Sequence, residues 1–158
     1  MKNYDSKIII IGIGNSGRED DGLGWAFLDE IRPKLPSHFD VEYRYQLQIE
    51  DAELISHYDK VYFVDAHKQI LENGVIINPC LPKDVHGFSS HALHPETIQF
   101  LVNSVYDKNP ESYIIGISGV SFELKMGLTS KGKDNLDKAL SYFLNDFVKG
   151  NQPTSISQ

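Results

Sequence analysis

The chain has few cysteines and few basic residues. Cys80 is the only cysteine among 158 residues, which excludes an internal disulfide and is typical of a reducing compartment. Lysine and arginine together number 15, against 22 aspartates and glutamates, so the net charge is −7. This charge balance leaves no basic surface for nucleic acid or for an anionic membrane.

Long apolar runs are lacking as well. No run approaches the length needed to cross a bilayer, and residues 1–6 are polar, without the apolar region of a secretory signal. A hydrophobic content of 41% is ordinary for a chain with a buried core. We therefore expect a cytoplasmic protein in which residues 1–150 form a single domain and residues 151–158 form a disordered tail.

Strands and helices are predicted to alternate along the chain. Apolar, β-branched segments predict strands at residues 7–13, 41–46, 61–64, 75–78 and 113–117. Helical spacing of apolar residues predicts helices over residues 22–31, 50–57, from 95 onward, and 130–149. Residues 80–94 show no periodicity and predict a loop, and residues 118–128 are ambiguous. The alternation predicts an α/β fold, a three-layer α/β/α sandwich whose mainly parallel sheet has roughly five strands.

A glycine turn follows the first predicted strand, and three acids follow the turn. Gly12-x-Gly14-x-x-Gly17 has the spacing of a dinucleotide-binding fingerprint. A pyrophosphate needs backbone N–H groups and positive potential at a helix start, whereas residues 19–21 are all acidic here. The second predicted strand also ends without an acid to hold a ribose. The pattern favours a site for a cation, and a Rossmann-like nucleotide site is the alternative.

Three residues from separate parts of the chain form a candidate site. Asp21 follows the first predicted strand and Asp65 ends the third. If these strands are neighbours, about 4.8 Å apart, both carboxylates converge at the carboxyl edge of the sheet, where ligands gather. His91, in the long loop, would add an imidazole. Two carboxylates and an imidazole form a mixed oxygen and nitrogen set for a divalent ion, with open positions for water or substrate.

Each of these residues also has an interpretation that needs no metal. Asp21 is a favourable acid for a first helical turn, Asp65 could cap the next segment, and His91 could be an exposed loop residue. His86 and His94 are rival donors on the same loop. The prediction of a site therefore depends on whether the three groups converge in space.

Covalent catalysis has little support in the sequence. Cys80 lies between Pro79 and Leu81, and no basic residue occurs before Lys83, so nothing favours a thiolate. No Gly-x-Ser-x-Gly nucleophile elbow is present either. We expect Cys80 to be a buried, unreactive thiol.

Three segments resemble one family of enzymes. Residues 12–15 (Gly-Ile-Gly-Asn) followed by residues 20–24 (Asp-Asp-Gly-x-Gly) resemble the N-terminal signature of the hydrogenase maturation endopeptidases. Val64-Asp65-Ala66 is similar to the strand-end aspartate of that family. Ser90-His91 followed by Pro95 is similar to its histidine loop. The order and the rough spacing agree over nearly the whole chain.

The resemblance implies a specific activity. Such an endopeptidase removes the C-terminal extension of a [NiFe]-hydrogenase large-subunit precursor once nickel has been installed. By this resemblance Asp21, Asp65 and His91 would be the metal ligands, and they would recognise nickel carried by the substrate. Many members have a Gly-Thr-rich stretch where this chain has residues 45–52, a departure that bears on the subtype of the precursor.

A metal-assisted hydrolysis also needs a proton acceptor. A divalent ion polarises the scissile carbonyl and lowers the pKa of bound water, and a nearby carboxylate can accept the proton. Glu19, Asp20 and Glu50 are candidates for that base, and Asp20 joins the three metal ligands in the predicted catalytic set. The remaining alternative is a non-catalytic metal-sensing chaperone on the same fold.

Overall fold

The computed structural model describes residues 6–84 and 93–149, with side chains to residue 146. The predicted tail, residues 151–158, lies outside this part of the chain. The strands are β1 (Ile8–Ile13), β2 (Phe39–Arg44), β3 (Lys60–His67), β4 (Val75–Pro79) and β5 (Glu111–Ser118). The helices are α1 (Leu23–Ile31), α2 (Glu50–Ile55), α3 (Pro95–Tyr106) and α4 (Ser130–Lys149). Short 3-10 turns at Glu19–Gly22 and Arg32–Lys34 flank α1.

The five strands form one sheet in the order β2-β1-β3-β5-β4. β1 pairs in parallel with β2 and with β3, β3 pairs in parallel with β5, and β4 is antiparallel to β5. The prediction of a mainly parallel, five-stranded sheet is confirmed. The carboxyl ends of β1, β2, β3 and β5 lie along one edge, which we call the carboxyl edge. The direction of strand addition reverses between β1 and β3, where ligands bind in sheets of this kind.

Helices cover both faces of the sheet, which confirms the predicted three-layer sandwich. α1 and α4 bury their apolar side chains on one face, and α2 and α3 on the other. Consecutive side chains of β1 point to opposite faces, and Ile9, Ile10 and Ile11 are all fully buried. This double burial explains why the first strand is apolar without alternation.

Two segments differ from the sequence-based expectation. β3 continues two residues past Asp65, because Ala66 and His67 pair with the last residues of β5. Residues 119–129, which we call the strap, contain no helix or strand. The strap joins β5 to α4 and lies against the turn at Glu19–Gly22. Within the described residues, no helix is long and apolar enough to cross a membrane.

Candidate functional site

The first turn of α1 lies directly on the carboxyl ends of β1 and β3. Ile13 and Asp65 are paired in the parallel register of these strands. A β-carbon at Gly24 would lie 2.6 Å from the carbonyl oxygens of both Ile13 and Val64. Glycine therefore permits this close approach, which holds the turn before α1 above the end of β3.

A second glycine sets the path of the backbone at Asp21. Gly14 has φ of 150°, and a β-carbon there would lie 2.0 Å from the carbonyl oxygen of Asp21. The N–H of Asn15 donates to that same oxygen at 2.9 Å. The glycine turn after β1 and the acidic turn before α1 are thus fixed to each other at residue 21.

Asp21 lies near enough to Asp65 for its charge to raise the pKa of Asp65. Asp65 is half-buried, and burial raises the pKa of its carboxyl group to about 7, with a further contribution from the charge of Asp21. The N–H of Ala66 and the charge of Lys68 oppose this shift. Burial also raises the pKa of Asp21, against the charges of Lys68 and Arg18. A cation bound by both carboxylates would remove this cost.

Asp20, the neighbouring acid, is fully buried and has different surroundings. Its carboxylate accepts hydrogen bonds from the N–H of Val120 at 2.8 Å, and from the N–H and hydroxyl of Thr129 at 2.8 and 2.7 Å. Burial acts to raise the pKa of Asp20, but these bonds outweigh it and lower the pKa. The contacts favour a structural role in holding the strap, and the catalytic role of Asp20 stays a prediction.

Glu19 also holds the strap. Its carboxylate accepts from the hydroxyl of Ser121 at 2.6 Å and from the N–H of Glu123 at 3.2 Å, and the Lys125 ammonium lies 3.9 Å away. Glu50, the third candidate for a general base, is exposed at the start of α2. Glu19 and Asp20, the two buried candidates for the general base, therefore both accept hydrogen bonds from the strap.

His91 and His86 lie outside the described residues. Leu93, two residues after His91, forms an isolated bridge with Leu47, just beyond the carboxyl end of β2. His94 is exposed and immediately precedes α3, and Pro95 is the first helical residue, as predicted. Among residues 6–84 and 93–146, no three His, Cys, Asp or Glu side chains form a group able to hold a metal ion.

Lys68 is a site residue that the sequence analysis missed. Its positive charge acts on both Asp21 and Asp65. Its ammonium lies 5.9 Å from the centre of the Phe122 ring, in the strap. A lysine three residues after Asp65 belongs to no motif, and only the pairing of β3 with β5 brings it beside the strap.

The glycine turn does not offer its N–H groups to a ligand. Backbone N–H groups throughout the turn donate within the protein, at residues Gly14, Asn15, Gly17, Arg18, Glu19, Asp20 and Asp21. A pyrophosphate would need several of these donors free. The turn is therefore unsuited to bind a dinucleotide, although its glycine spacing matches the dinucleotide-binding fingerprint.

Cys80 lies away from this site. It follows β4, and its N–H donates to the carbonyl of Ser112 near the start of β5, at the edge opposite the carboxyl edge. The side chain is buried, and burial, together with the charge of Glu96, raises the pKa of its thiol to about 12. The expected burial of the thiol is confirmed, and its raised pKa disfavours the reactive thiolate.

Exposed apolar side chains lie just after β2 and on the strap. Tyr45, Leu124 and Met126 are more than two-thirds exposed, at 71%, 77% and 74%. Tyr45 packs on the ring of Trp25, at 4.9 Å between centroids. Beside them is a cavity of about 220 Å³, lined by Ser16, Glu19, Gly22, Trp25, Ala26, Asp29, Tyr43, Met126, Gly127 and Leu128. Exposed apolar groups of this kind suit a peptide segment of another protein.

Solved structures of known proteins share this architecture. The hydrogenase maturating endopeptidase HybD from E. coli superposes with a TM-score of 0.73 at 18% identity, over 91% of this chain and 93% of that one. The [NiFe] hydrogenase maturation protease HycI from Thermococcus kodakarensis gives 0.70 at 22% identity, over the same shares of the two chains. A hydrogenase 2 maturation peptidase from a Thaumarchaeota archaeon gives 0.65 at 19% identity, over 93% of this chain and 100% of that one.

No protein-family model and no curated protein matches the chain. At these identities the structural likeness establishes the fold. The chain has the fold of the hydrogenase maturation endopeptidases, as the resemblance of its motifs predicted.

Proposed function

We propose that this protein is an endopeptidase that removes the C-terminal extension of a nickel-loaded [NiFe]-hydrogenase large-subunit precursor. In this proposal Asp21, Asp65 and His91 bind the nickel, which arrives with the substrate. Residues 1–150 then form the peptidase domain, and the predicted cytoplasmic location fits a reaction on a newly made subunit.

The carboxylate pair is the observation that carries the proposal. Asp65 lies in β3, Asp21 lies in the turn that follows the neighbouring parallel strand β1, and strand order reverses between these two strands. Each has a raised pKa, and the charge of Asp21 contributes to the shift at Asp65. Two carboxylates that disfavour each other's charge are suited to a dication, which stabilises both ionised forms.

The position of the histidine loop is compatible with a third ligand. The bridge between Leu47 and Leu93 attaches this loop to the end of β2, at the carboxyl edge. His91 precedes Leu93 by two positions in the chain, which is a reach of about 7 Å at most. An imidazole from this loop would complete the oxygen, oxygen and nitrogen set that the sequence predicts.

The surroundings suit a peptide substrate. Tyr45, Leu124 and Met126 are exposed, and the cavity lined by Met126 and by both ends of the turn that contains Asp21, Glu19 and Gly22, is large enough for one side chain of a bound peptide. With the peptide positioned there, the substrate's nickel would polarise the scissile carbonyl and activate a water. The precursor would then be cleaved only after its nickel has been inserted, because Asp21, Asp65 and His91 bind the ion but the precursor supplies it.

The test is cleavage of a purified, nickel-loaded large-subunit precursor, followed by mass spectrometry. The wild type should remove the extension from the nickel-loaded precursor and leave the nickel-free precursor intact. Asp21→Asn, Asp65→Asn and His91→Ala should each lower the rate by about a hundredfold or more. Asp137→Asn on α4 and His57→Ala after α2, both exposed and remote from the carboxyl edge, are the matched controls.

Three results would count against the proposal. Cleavage that survives all three substitutions would remove the assigned residues. Equal cleavage of nickel-free and nickel-loaded precursors would remove the role of the metal. Binding of the nickel-loaded precursor without cleavage would favour the non-catalytic metal-sensing chaperone instead.

A further inference from the structure

The outer edge of β2 is open. β2 is the first strand in the order of the sheet, and among the described residues it pairs only with β1. The N–H of Gly14 donates to the carbonyl of Arg44 at 2.9 Å. Successive residues of a strand direct their N–H and carbonyl groups to opposite sides, so residues 40, 42 and 44 face β1. The N–H and carbonyl groups of Val41 and Tyr43 therefore point away from the sheet.

Three backbone groups at this edge are suited to pair with another strand. They are the N–H and the carbonyl of Val41 and the N–H of Tyr43. The carbonyl of Tyr43 already accepts from the guanidinium of Arg44 at 3.0 Å. An extended peptide aligned with β2 would give these groups the hydrogen bonds of a sheet, as in other proteins that bind a peptide as an added strand.

A cavity of about 530 Å³ borders this edge. Its lining includes Phe39 and Val41 from one face of β2 and Asp40 and Glu42 from the other face. Because both faces contribute, the cavity lies at the open side of the strand. Leu35, which precedes β2, adds apolar surface to the lining. The volume falls within the range of ligand sites in proteins, about 300–1,000 Å³.

This edge leads to the turn that contains Asp21. Gly14 is bonded to the carbonyl of Arg44, the last residue of β2. The next residue, Asn15, donates to the carbonyl of Asp21 at 2.9 Å. β4, the other outer strand, ends in Pro79 and is separated from β3 by β5. β2 is therefore the open strand nearer to the candidate site.

We propose that the C-terminal extension of the precursor binds as an added strand on the open edge of β2, antiparallel to it. This inference rests on the proposed function. An antiparallel strand begins at the carboxyl edge and runs away from it, so the residues that follow the cut extend along β2. Alternate side chains of the extension face the apolar lining of the cavity, and those between them face Asp40, Glu42 and Arg44.

The first test compares cleavage of the nickel-loaded precursor by the wild type and by Val41→Pro. Proline removes an N–H that points outward and keeps the pairing with β1, since edge strands accept proline at such positions. We expect KM to rise about tenfold with little change in kcat, because the lost contact is remote from the reacting bond. Glu72→Pro, at the second position of the exposed turn before β4, is the matched control.

The two possible failures of this test are distinct. An unchanged KM for Val41→Pro overturns the inference and leaves the proposed function standing. Failure of the wild type to cleave removes the proposed function, and the second test then decides the inference.

The second test needs neither metal nor cleavage. A synthetic peptide that copies the extension is added to the full-length protein, and amide hydrogen exchange is followed by NMR. In the free protein the amides of Val41 and Tyr43 should exchange rapidly, and those of Glu42 and Arg44 slowly. The peptide should slow exchange at Val41 and Tyr43 about tenfold or more. Of two further peptides, N-methylated at one or the other set of alternate residues, only one should keep this effect, because only one set of N–H groups faces β2.

Three results of this test would overturn the inference. The first is no protection by the unmodified peptide, or equal protection by the two N-methylated peptides. The second is slow exchange of Val41 and Tyr43 in the free monomer, which would show that the chain's own residues cover the edge. The third is sedimentation of the wild type as a dimer that Val41→Pro dissociates, which would assign the edge to a second copy of this chain.

Discussion

Thr129 donates both its backbone N–H and its hydroxyl to the carboxylate of Asp20, at 2.8 and 2.7 Å. The two residues are separated by 109 positions in the chain. A β-carbon at Gly132, in the next turn, would lie 2.4 Å from the same carboxylate. The acidic turn before α1 and the start of α4 are therefore joined through one buried acid, and the strap between β5 and α4 is held in place by this contact.

Asp20→Asn should destabilise the protein by about 2 to 3 kcal/mol, because an amide nitrogen would face donors that need an acceptor. The pKa of Asp20 is lowered on folding from its ordinary value of 3.8. Its contribution is therefore fully present above pH 4 and is lost as the pH falls through the lower, folded value. Urea unfolding at pH 7 and at low pH measures the difference. Asp137→Asn is the control, and a loss that does not depend on pH would contradict this role.

Gly14→Ala should be among the most damaging small substitutions in the chain. The residue has a positive φ, and its new β-carbon would lie 2.0 Å from the carbonyl oxygen of Asp21. We expect a loss of about 3 kcal/mol or more, measured by urea unfolding.

Gly127→Ala provides the control for this prediction. Gly127 also has a positive φ, at 100°, but a β-carbon there meets nothing within 4 Å. Gly127→Ala should lower the free energy of unfolding by only about 1 kcal/mol, which is the cost of a non-glycine residue at a positive φ. Similar losses for the two variants would show that the contact with Asp21 has no importance of its own.

Asp65→Asn should stabilise the metal-free protein at alkaline pH. The pKa of Asp65 is raised from 3.8 to about 7 on folding, so the folded state holds a proton that the unfolded state has released. Stability therefore falls as the pH rises from 4 to 7, and a neutral amide avoids this loss. The gain should be absent at pH 4 and reach about 2 to 4 kcal/mol at pH 8. Chemical unfolding in EDTA at pH 4 and at pH 8 measures the free energy of unfolding of the variant and of the wild type. An equal gain in stability at the two pH values would contradict the raised pKa of Asp65.

Arg44→Met should destabilise the loop between β2 and α2. Asp51 is buried, and its carboxylate is paired with the Arg44 guanidinium at 3.0 Å while it also accepts from the N–H of Gln48. Removing the arginine leaves a buried carboxylate without its cation, at a cost of about 2 to 3 kcal/mol. Glu42→Gln removes the more exposed partner of Arg44 and should cost less than 1 kcal/mol. Urea unfolding of Arg44→Met and Glu42→Gln measures the two losses of stability. Equal losses would contradict the greater importance of the buried Arg44–Asp51 pair.

The layers of this fold follow from local patterns. Apolar runs such as residues 8–13 can be buried on both sides only in the centre of a sheet covered by helices. The placement of Asp65 and of the turn that contains Asp21 at one edge of the sheet was predictable for the same reason, since parallel strands bring their carboxyl ends to one edge. The extension of β3 to His67 was not, because it depends on pairing with β5, which follows much later in the chain.

Most strands and helices could be assigned from the sequence, and Asp65 and the turn that contains Asp21 could be placed at one edge of the sheet, because periodicity and strand direction are local properties. Tertiary structure alone decided that the adjacent acids at positions 20 and 21 have opposite surroundings. One is enclosed by donors from the strap, and the other shares a half-buried edge with Asp65 and Lys68. The strap has no periodic pattern, so its place in the fold is set by hydrogen bonds between residues 100 and 109 positions apart, which no local pattern encodes.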